Sequence, residues 1–216
     1  MFRILSVILI VISFIWLLVF LSKQKISLNK IYDNYFLSFK NLFKEIKLLS
    51  SKDFPSKINW LKKFFYLATI FFFILMMLSA FINVIFIGDD LTGLLLLIHV
   101  TIAPLFSIFL AVTIILYAHS NSFNKNDISL DQKSLKINRS KLNSNGYLKL
   151  IFWLIVFFSL PTMISIILSM FPIFGTEGQE FLLNIHRYST LIILLLFIFH
   201  IALVSSKSNK PVTVSK

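Results

Sequence analysis

Long apolar segments alternate with polar, lysine-rich segments along the chain. A helix needs about 20 consecutive apolar residues to cross the hydrocarbon core of a bilayer, and five segments reach this length. These predicted spans cover roughly residues 2–22, 63–87, 93–118, 148–171 and 181–205. The sequence FLSKQK follows the first span without a small-residue cleavage site, so we expect a retained anchor rather than a cleaved signal peptide. The pattern therefore predicts an all-α integral membrane protein.

The polar segment between the first two spans has an apolar pattern with helical spacing. Its apolar residues recur every three or four positions, at Leu28, Ile31, Tyr35, Phe39, Leu42, Ile46 and Leu49, with lysines among them at Lys30, Lys40, Lys44 and Lys47. This pattern indicates an amphipathic helix on the membrane surface, covered either by lipid alone or by a peripheral subunit. Residues 121–146 are instead rich in Asn and Ser, which indicates a solvated loop.

The positive charges lie on one side of the predicted spans. Residues 23–63 hold ten lysines, and residues 119–149 hold five lysines and Arg139. The segments 88–93 and 172–180 hold four acidic residues and no basic one. The positive-inside rule then places the N-terminus outside and the C-terminus in the cytoplasm, so the third and fifth spans run in the same direction. We expect a multi-pass protein of a bacterial-type cytoplasmic (inner) membrane.

These patterns divide the chain into four parts. They are an N-terminal transmembrane anchor (1–22), a cytoplasmic amphipathic segment (23–59), a four-helix transmembrane bundle (60–205) and a cytoplasmic tail (206–216).

The composition supports this class and excludes several kinds of chemistry. The chain is 57% hydrophobic, whereas soluble domains are roughly 45–50% apolar. It has no cysteine, which excludes disulfides, thiolate metal sites and covalent c-type haem attachment in this chain. The net charge of +12 lies mainly in loops between spans, where it sets orientation against anionic lipid, so no nucleic-acid binding is expected.

The four histidines of the chain all fall on the third and fifth spans. His186 and His200 are 14 residues apart, which on a helix places them within about 40° of each other and about 21 Å apart along the axis. His99 and His186 each lie about six residues into a span that starts at the outer surface, so we expect their imidazoles at similar depth. Ionisable side chains inside a membrane are costly and indicate a functional site.

Two facing imidazoles at equal depth predict a bis-histidine haem site formed by His99 and His186. Arg187 lies next to His186 and is placed either to pair with a haem propionate or to reach the outer headgroups. His119 is the candidate partner of His200 at a second haem, yet it is 20 residues from His99, about 200° around an ideal helix. A distortion at Pro104 would correct the facing.

Several alternatives remain for the inner ligand. His119 is otherwise an interfacial histidine that suits the negative end of the helix dipole. Thr113 stands at the position that matches the 14-residue spacing, but it cannot replace an imidazole. The remaining candidates are methionines, which serve as axial ligands in some cytochromes, at Met76, Met77 and Met170.

The sequence HRYSTLIILLLFIFH (186–200) resembles the last bundle helix of di-haem b-type cytochromes. These are the membrane subunits of quinone-linked oxidoreductases, such as cytochrome b/b6 and the cytochrome subunits of formate dehydrogenase and nickel–iron hydrogenase. The resemblance covers residues 60–205 and implies a four-helix bundle with two haems, in which His186 and His200 bind different haems and His99 lies opposite His186. Residues 64–86 contain no histidine, so the chain is closer to the arrangement that takes ligands from the second and fourth bundle helices.

The resulting functional hypothesis is transmembrane electron transfer through two non-covalent b haems, between quinone or quinol and another subunit of a redox complex. That partner is an iron–sulfur, multihaem cytochrome or catalytic subunit, and this chain is a non-catalytic member of the complex. The alternatives are a histidine-dependent proton or solute transporter without haem and a structural anchor. Four outer acids are candidates to accept quinol protons: Asp89, Asp90, Glu177 and Glu180.

Overall fold

The computed structural model describes residues 1–46, 54–88, 91–124, 127–129 and 141–208. Its helices are α1 (Phe2–Lys23), α2 (Leu28–Ile46), α3 (Phe54–Ile82), α4 (Gly93–Ala118), α5 (Ser144–Ser169) and α6 (Gly175–Ser208). A π-helical turn, Asn83–Ile87, extends α3, and a 3-10 turn, Pro172–Phe174, precedes α6. Two short strands, β1 (Ile128–Ser129) and β2 (Lys141–Leu142), pair antiparallel with Ile128 opposite Leu142.

Five helices in the described part of the chain are long and apolar enough to cross a membrane. They are α1, α3 with its π turn, α4, α5 and α6, so the prediction of five such helices is confirmed. The observed α4 matches the predicted third span, but α3 begins at Phe54 and α6 at Gly175, nine and six residues before the predicted spans. Hydropathy marks only the apolar part of a helix, and polar residues such as Glu177 extend its first turn where the dipole favours an acid.

The helices fall into two compact units. The first contains α2, α3 and α4, together with Met1 and residues 3–7. Helices α3 and α4 form an antiparallel hairpin, since Thr69 bonds to Thr113 at 2.8 Å while Ser79, later in α3, bonds to His99, earlier in α4. Phe109 of α4 packs among three rings of α3, those of Phe64, Phe65 and Phe72.

The turn after α3 is closed by a glycine and an arginine. Gly88 has a φ of 85°, and its N–H donates to the Asn83 carbonyl at 2.9 Å. Arg3 Nη2 donates to the Ile85 carbonyl at 3.1 Å, in the same turn. A Cβ at Gly88 would overlap the Arg3 guanidinium, so this end of α3 requires glycine for both its backbone conformation and its space.

The second unit contains α5 and α6 with most of α1. Phe2 contacts Tyr188 edge to face, with ring centroids 5.2 Å apart, and Trp16 contacts Phe199 at 4.5 Å. Later residues of α1 therefore contact later residues of α6, which means that these two helices run parallel. Parallel helices cross a membrane in the same direction, as the predicted topology requires of the first and fifth spans.

A polar cluster organises the chain before α5. Asp127 accepts from the Asn124 N–H at 2.7 Å and from Lys149 Nζ at 2.8 Å. Lys149 also donates to the Ser122 carbonyl, and Trp153 Nε1 donates to the carbonyl of Asn121. Lys149 and the backbone of Asn124 hold the pKa of Asp127 below its ordinary value. The described residues 121–124 and Asp127 are thus held against the first turns of α5, in a segment that sequence composition predicted as solvated.

Candidate functional site

His99 is held by the neighbouring helix of its own hairpin. Its Nδ1 lies 2.9 Å from the Ser79 hydroxyl oxygen, and that hydroxyl donates to the Met76 carbonyl, also at 2.9 Å. A hydroxyl has one proton, so Ser79 accepts its second bond from the Nδ1–H of His99. In the neutral ring, Nε2 then carries the lone pair, which is the form of histidine that binds a metal.

His186 is held in the same way in the second unit. Its Nδ1 lies 2.9 Å from the carbonyl oxygen of Thr162 in α5. Because a carbonyl only accepts, Nδ1 carries the proton and Nε2 carries the lone pair. The Thr162 hydroxyl bonds to the Ser189 hydroxyl at 2.8 Å, one turn further along α6. Two polar bonds between α5 and α6 therefore fix the position of this imidazole.

The acceptor groups of the two histidines stand at similar distances from the ends of their own helices. Ser79 is eight residues before the end of the π turn at Ile87, and Thr162 is seven residues before the end of α5 at Ser169. Each anchor is thus about 10–12 Å from the end of its helix. Helix α6 begins earlier than predicted, so His186 is 11 residues from Gly175, whereas His99 is six residues from Gly93. The equal depth of the two imidazoles stays a prediction.

His200 lies on the same unbroken helix as His186. Helix α6 runs from Gly175 to Ser208 without proline, so a separation of about 21 Å along its axis applies to the two imidazoles. His200 is half-buried. Between the two histidines lies Thr190, which is 8% exposed and whose hydroxyl has no hydrogen-bond partner among the described residues. The neighbouring Ser189 hydroxyl donates to the Ile185 carbonyl at 2.6 Å, with a longer contact of 3.2 Å to the carbonyl of His186.

His119 lies at the other end of its helix, in a different setting. It is the residue after α4, in a helical backbone conformation, and it is exposed. Helix α4 continues through Pro104 as α-helix, so no wide turn changes the register between His99 and His119. The side chain at the matching 14-residue spacing, Thr113, is buried against α3 by its bond to Thr69. The role of His119 as a haem ligand stays a prediction.

The remaining predicted residues are placed as follows. Arg187 is half-buried beside His186, and its neighbour Tyr188 contacts Phe2 of α1. Glu177 and Glu180 are exposed in the first turns of α6. Among the methionines, Met76 is buried, Met77 is half-buried and Met170 is exposed. Asp89 and Asp90 lie outside the described residues, as do Lys47, Leu49 and Arg139.

Sequence reasoning missed the groups that orient the two histidines. Ser79 had a weak signal, because a serine within an apolar span has to bond somewhere. The Thr162 acceptor is a backbone carbonyl, which no side-chain pattern reveals. Both contacts depend on which residues of the neighbouring helix face each histidine, and the sequence does not give that pairing.

The haem that the sequence resemblance implies requires axial ligands of a particular kind. Within the described part of the chain, no three His, Asp or Glu side chains converge into a metal-binding group. A porphyrin supplies four nitrogens of its own and takes at most two axial ligands from the protein. His99 and His186, each with the lone pair of its neutral ring on Nε2, have the chemistry of such a ligand. Comparison of the chain with protein-family models, curated proteins and solved structures found no match.

Proposed function

We propose that the chain is the membrane subunit of a redox complex and carries electrons across the membrane through two non-covalent b haems, between the quinone pool and a partner redox subunit. The observation that carries the proposal is the shared state of His99 and His186. Each donates its Nδ1–H to the preceding helix, to the Ser79 hydroxyl and to the Thr162 carbonyl. Each is thereby prepared as an Nε2 ligand.

In this proposal His99 and His186 hold the outer haem, His200 and His119 hold the inner one, and Arg187 pairs with a propionate. When bound, a b haem supplies one-electron transfer between ferric and ferrous iron. The chain itself fixes the ligand tautomers, excludes water with apolar helices and separates the two ligand levels along α6. The sequence predicts that the ligand-bearing helices form a four-helix bundle over residues 60–205, and the proposal retains that prediction.

Optical spectra and haem content of the full chain, purified from membranes, test this function. We expect a reduced-minus-oxidised spectrum of low-spin b haem and about two haems per polypeptide by pyridine haemochrome, since four axial histidines serve two irons. His99→Ala and His186→Ala should each remove the same haem. Ser107→Ala is the matched control, because the bond of its hydroxyl among the described residues goes back to the Ala103 carbonyl of the same helix. A colourless chain that moves protons or solute in vesicles would overturn the proposal in favour of a transporter.

A further inference from the structure

Helix α2 uses only part of its apolar face to contact α3. Leu42 is 2% exposed, and its carbonyl accepts from Trp60 Nε1 at 3.2 Å. Tyr35 is half-buried near Tyr66, and burial raises the pKa of Tyr35 above its ordinary value. Tyr35 and Leu42 are about 20° apart around the axis of α2. These two described contacts with α3 therefore lie on one side of the helix.

The order of these contacts gives α2 a direction relative to the membrane span. Tyr35, early in α2, lies near Tyr66, whereas Leu42, later in α2, contacts Trp60, which comes earlier in α3. The two helices are therefore antiparallel along this stretch. If α3 crosses the membrane as the candidate span Lys57–Phe86, the chain goes deeper from Trp60 to Tyr66 and the start of α2 is closer to the bilayer interior than its end.

A second apolar surface of α2 is left exposed. Tyr32, Phe36 and Phe39 form it, and they are 64%, 51% and 48% exposed. The rings of Tyr32 and Phe36 stack with centroids 5.6 Å apart. We call Tyr32, Phe36 and Phe39 the aromatic stripe. Phe36 is about 100° around the helix from Tyr35, so the stripe lies beside the contact with α3 rather than within it. Exposed Lys40 and Lys44 follow on the other border of the stripe, toward the end of α2.

We propose that the start of α2 inserts into the headgroup–acyl boundary of the adjacent leaflet, with Tyr32 and Phe36 against the acyl chains and Lys40 and Lys44 on the phosphates of anionic lipid. The order along α2 fits the layering of a bilayer. The aromatic side chains lie on the deeper turns, where such rings concentrate at membrane interfaces. The lysines lie one and two turns further out, where their ammonium groups reach the anionic headgroups. This assignment is independent of haem.

Site-directed spin labelling tests the depth of the stripe, and the chain suits it because it has no native cysteine. The full chain carrying Phe36→Cys or Tyr32→Cys is labelled and reconstituted in phosphatidylcholine vesicles with or without phosphatidylglycerol. Asn41→Cys is the matched control, because Asn41 is exposed about 140° around the same helix from Phe36. We expect the label at Phe36 to collide several-fold more with oxygen than with a water-soluble nickel chelate, and the label at Asn41 to show the reverse.

Anionic lipid tests the role of the lysines. Phosphatidylglycerol should move the Phe36 label deeper, and Lys40→Gln with Lys44→Gln should abolish that shift. Equal nickel exposure at Phe36 and Asn41 would overturn the insertion of the stripe. Protection of Phe36 and Tyr32 from both reagents would also overturn it, in favour of a protein partner. If the depth of the Phe36 label were the same with and without phosphatidylglycerol, the proposal that Lys40 and Lys44 bind lipid phosphates would be overturned.

Discussion

The Ser79 hydroxyl oxygen lies 2.9 Å from Nδ1 of His99, and its own proton is directed to the Met76 carbonyl. The hydroxyl therefore acts on the imidazole as a fixed acceptor, which determines both the tautomer and the plane of the ring. Loss of this serine can therefore be measured, because it changes the hydrogen bonding of the His99 imidazole without removing the imidazole.

We expect replacement of Ser79 by alanine to weaken the binding of the proposed outer haem and to leave the inner haem in place. Loss of a group that orients a metal-binding histidine typically costs about 10–100-fold in affinity. Haem retained on purification and the midpoint potential of each haem are the measurements. Ser79→Thr should preserve both, since it keeps the hydroxyl. Unchanged haem content and midpoint potentials in Ser79→Ala would show that His99 needs no hydrogen-bond acceptor.

The histidine substitutions should separate into two pairs. We expect His200→Ala and His119→Ala to remove, or convert to high spin, one haem, and His99→Ala and His186→Ala to affect the other. The reason is that positions 14 residues apart on α6 are about 21 Å apart and cannot serve one iron. Low-temperature optical and EPR spectra distinguish the haems. Two intact low-spin haems in His119→Ala would mark this exposed residue as interfacial and direct the search to a methionine or another subunit.

The turn after α3 gives a prediction about stability. Gly88→Ala should lower the free energy of unfolding by about 1 kcal/mol or more from backbone strain alone, and further because its Cβ overlaps the Arg3 guanidinium. Thermal unfolding in detergent measures the effect. Gly93→Ala is the control for strain, because Gly93 also has a positive φ but no atom within 4 Å of its Cβ position. Arg3→Ala should recover part of the loss in Gly88→Ala and none in Gly93→Ala.

The Asp127 cluster predicts acid sensitivity of the loop before α5. The folded-state pKa of Asp127 is below its ordinary value of 3.8. Its contribution to stability is therefore complete above that pH and is lost as the pH falls through the lowered pKa. Limited proteolysis after residue 120 should be faster in this acid range. The Asp127→Asn variant should be cleaved rapidly at neutral pH as well. Asp33→Asn, an exposed acid of α2, should leave the cleavage rate unchanged.

The lysine distribution predicts an outside N-terminus and a cytoplasmic C-terminus. A reporter that is active only in the cytoplasm should be active when it is fused after Lys216, and a reporter that is active only outside should be inactive there. A reporter at Met1 should show the opposite behaviour. Activity of the Lys216 fusion outside the cytoplasm would contradict this orientation.

The sequence predicted the helices better than the contacts that position the histidines. The bounds of α4, Gly93–Ala118, agree with the predicted span because a glycine and a histidine border its apolar run. The starts of α3 and α6 were predicted too late, since their first turns are polar and hydropathy does not register them. The bond from His186 to the Thr162 carbonyl could not be predicted, because it depends on which carbonyl of α5 is left accessible at that level. Haem content and quinone chemistry stay predictions.

The bonds that orient His99 and His186 lie entirely within separate hairpins, α3 with α4 and α5 with α6. This has a consequence for biogenesis. The α3–α4 hairpin can leave the translocon with the bond of its imidazole already formed before α5 and α6 have been synthesised. Under the proposed function, cofactor insertion would follow membrane insertion, and a cell starved of haem would accumulate inserted chains rather than misfolded ones.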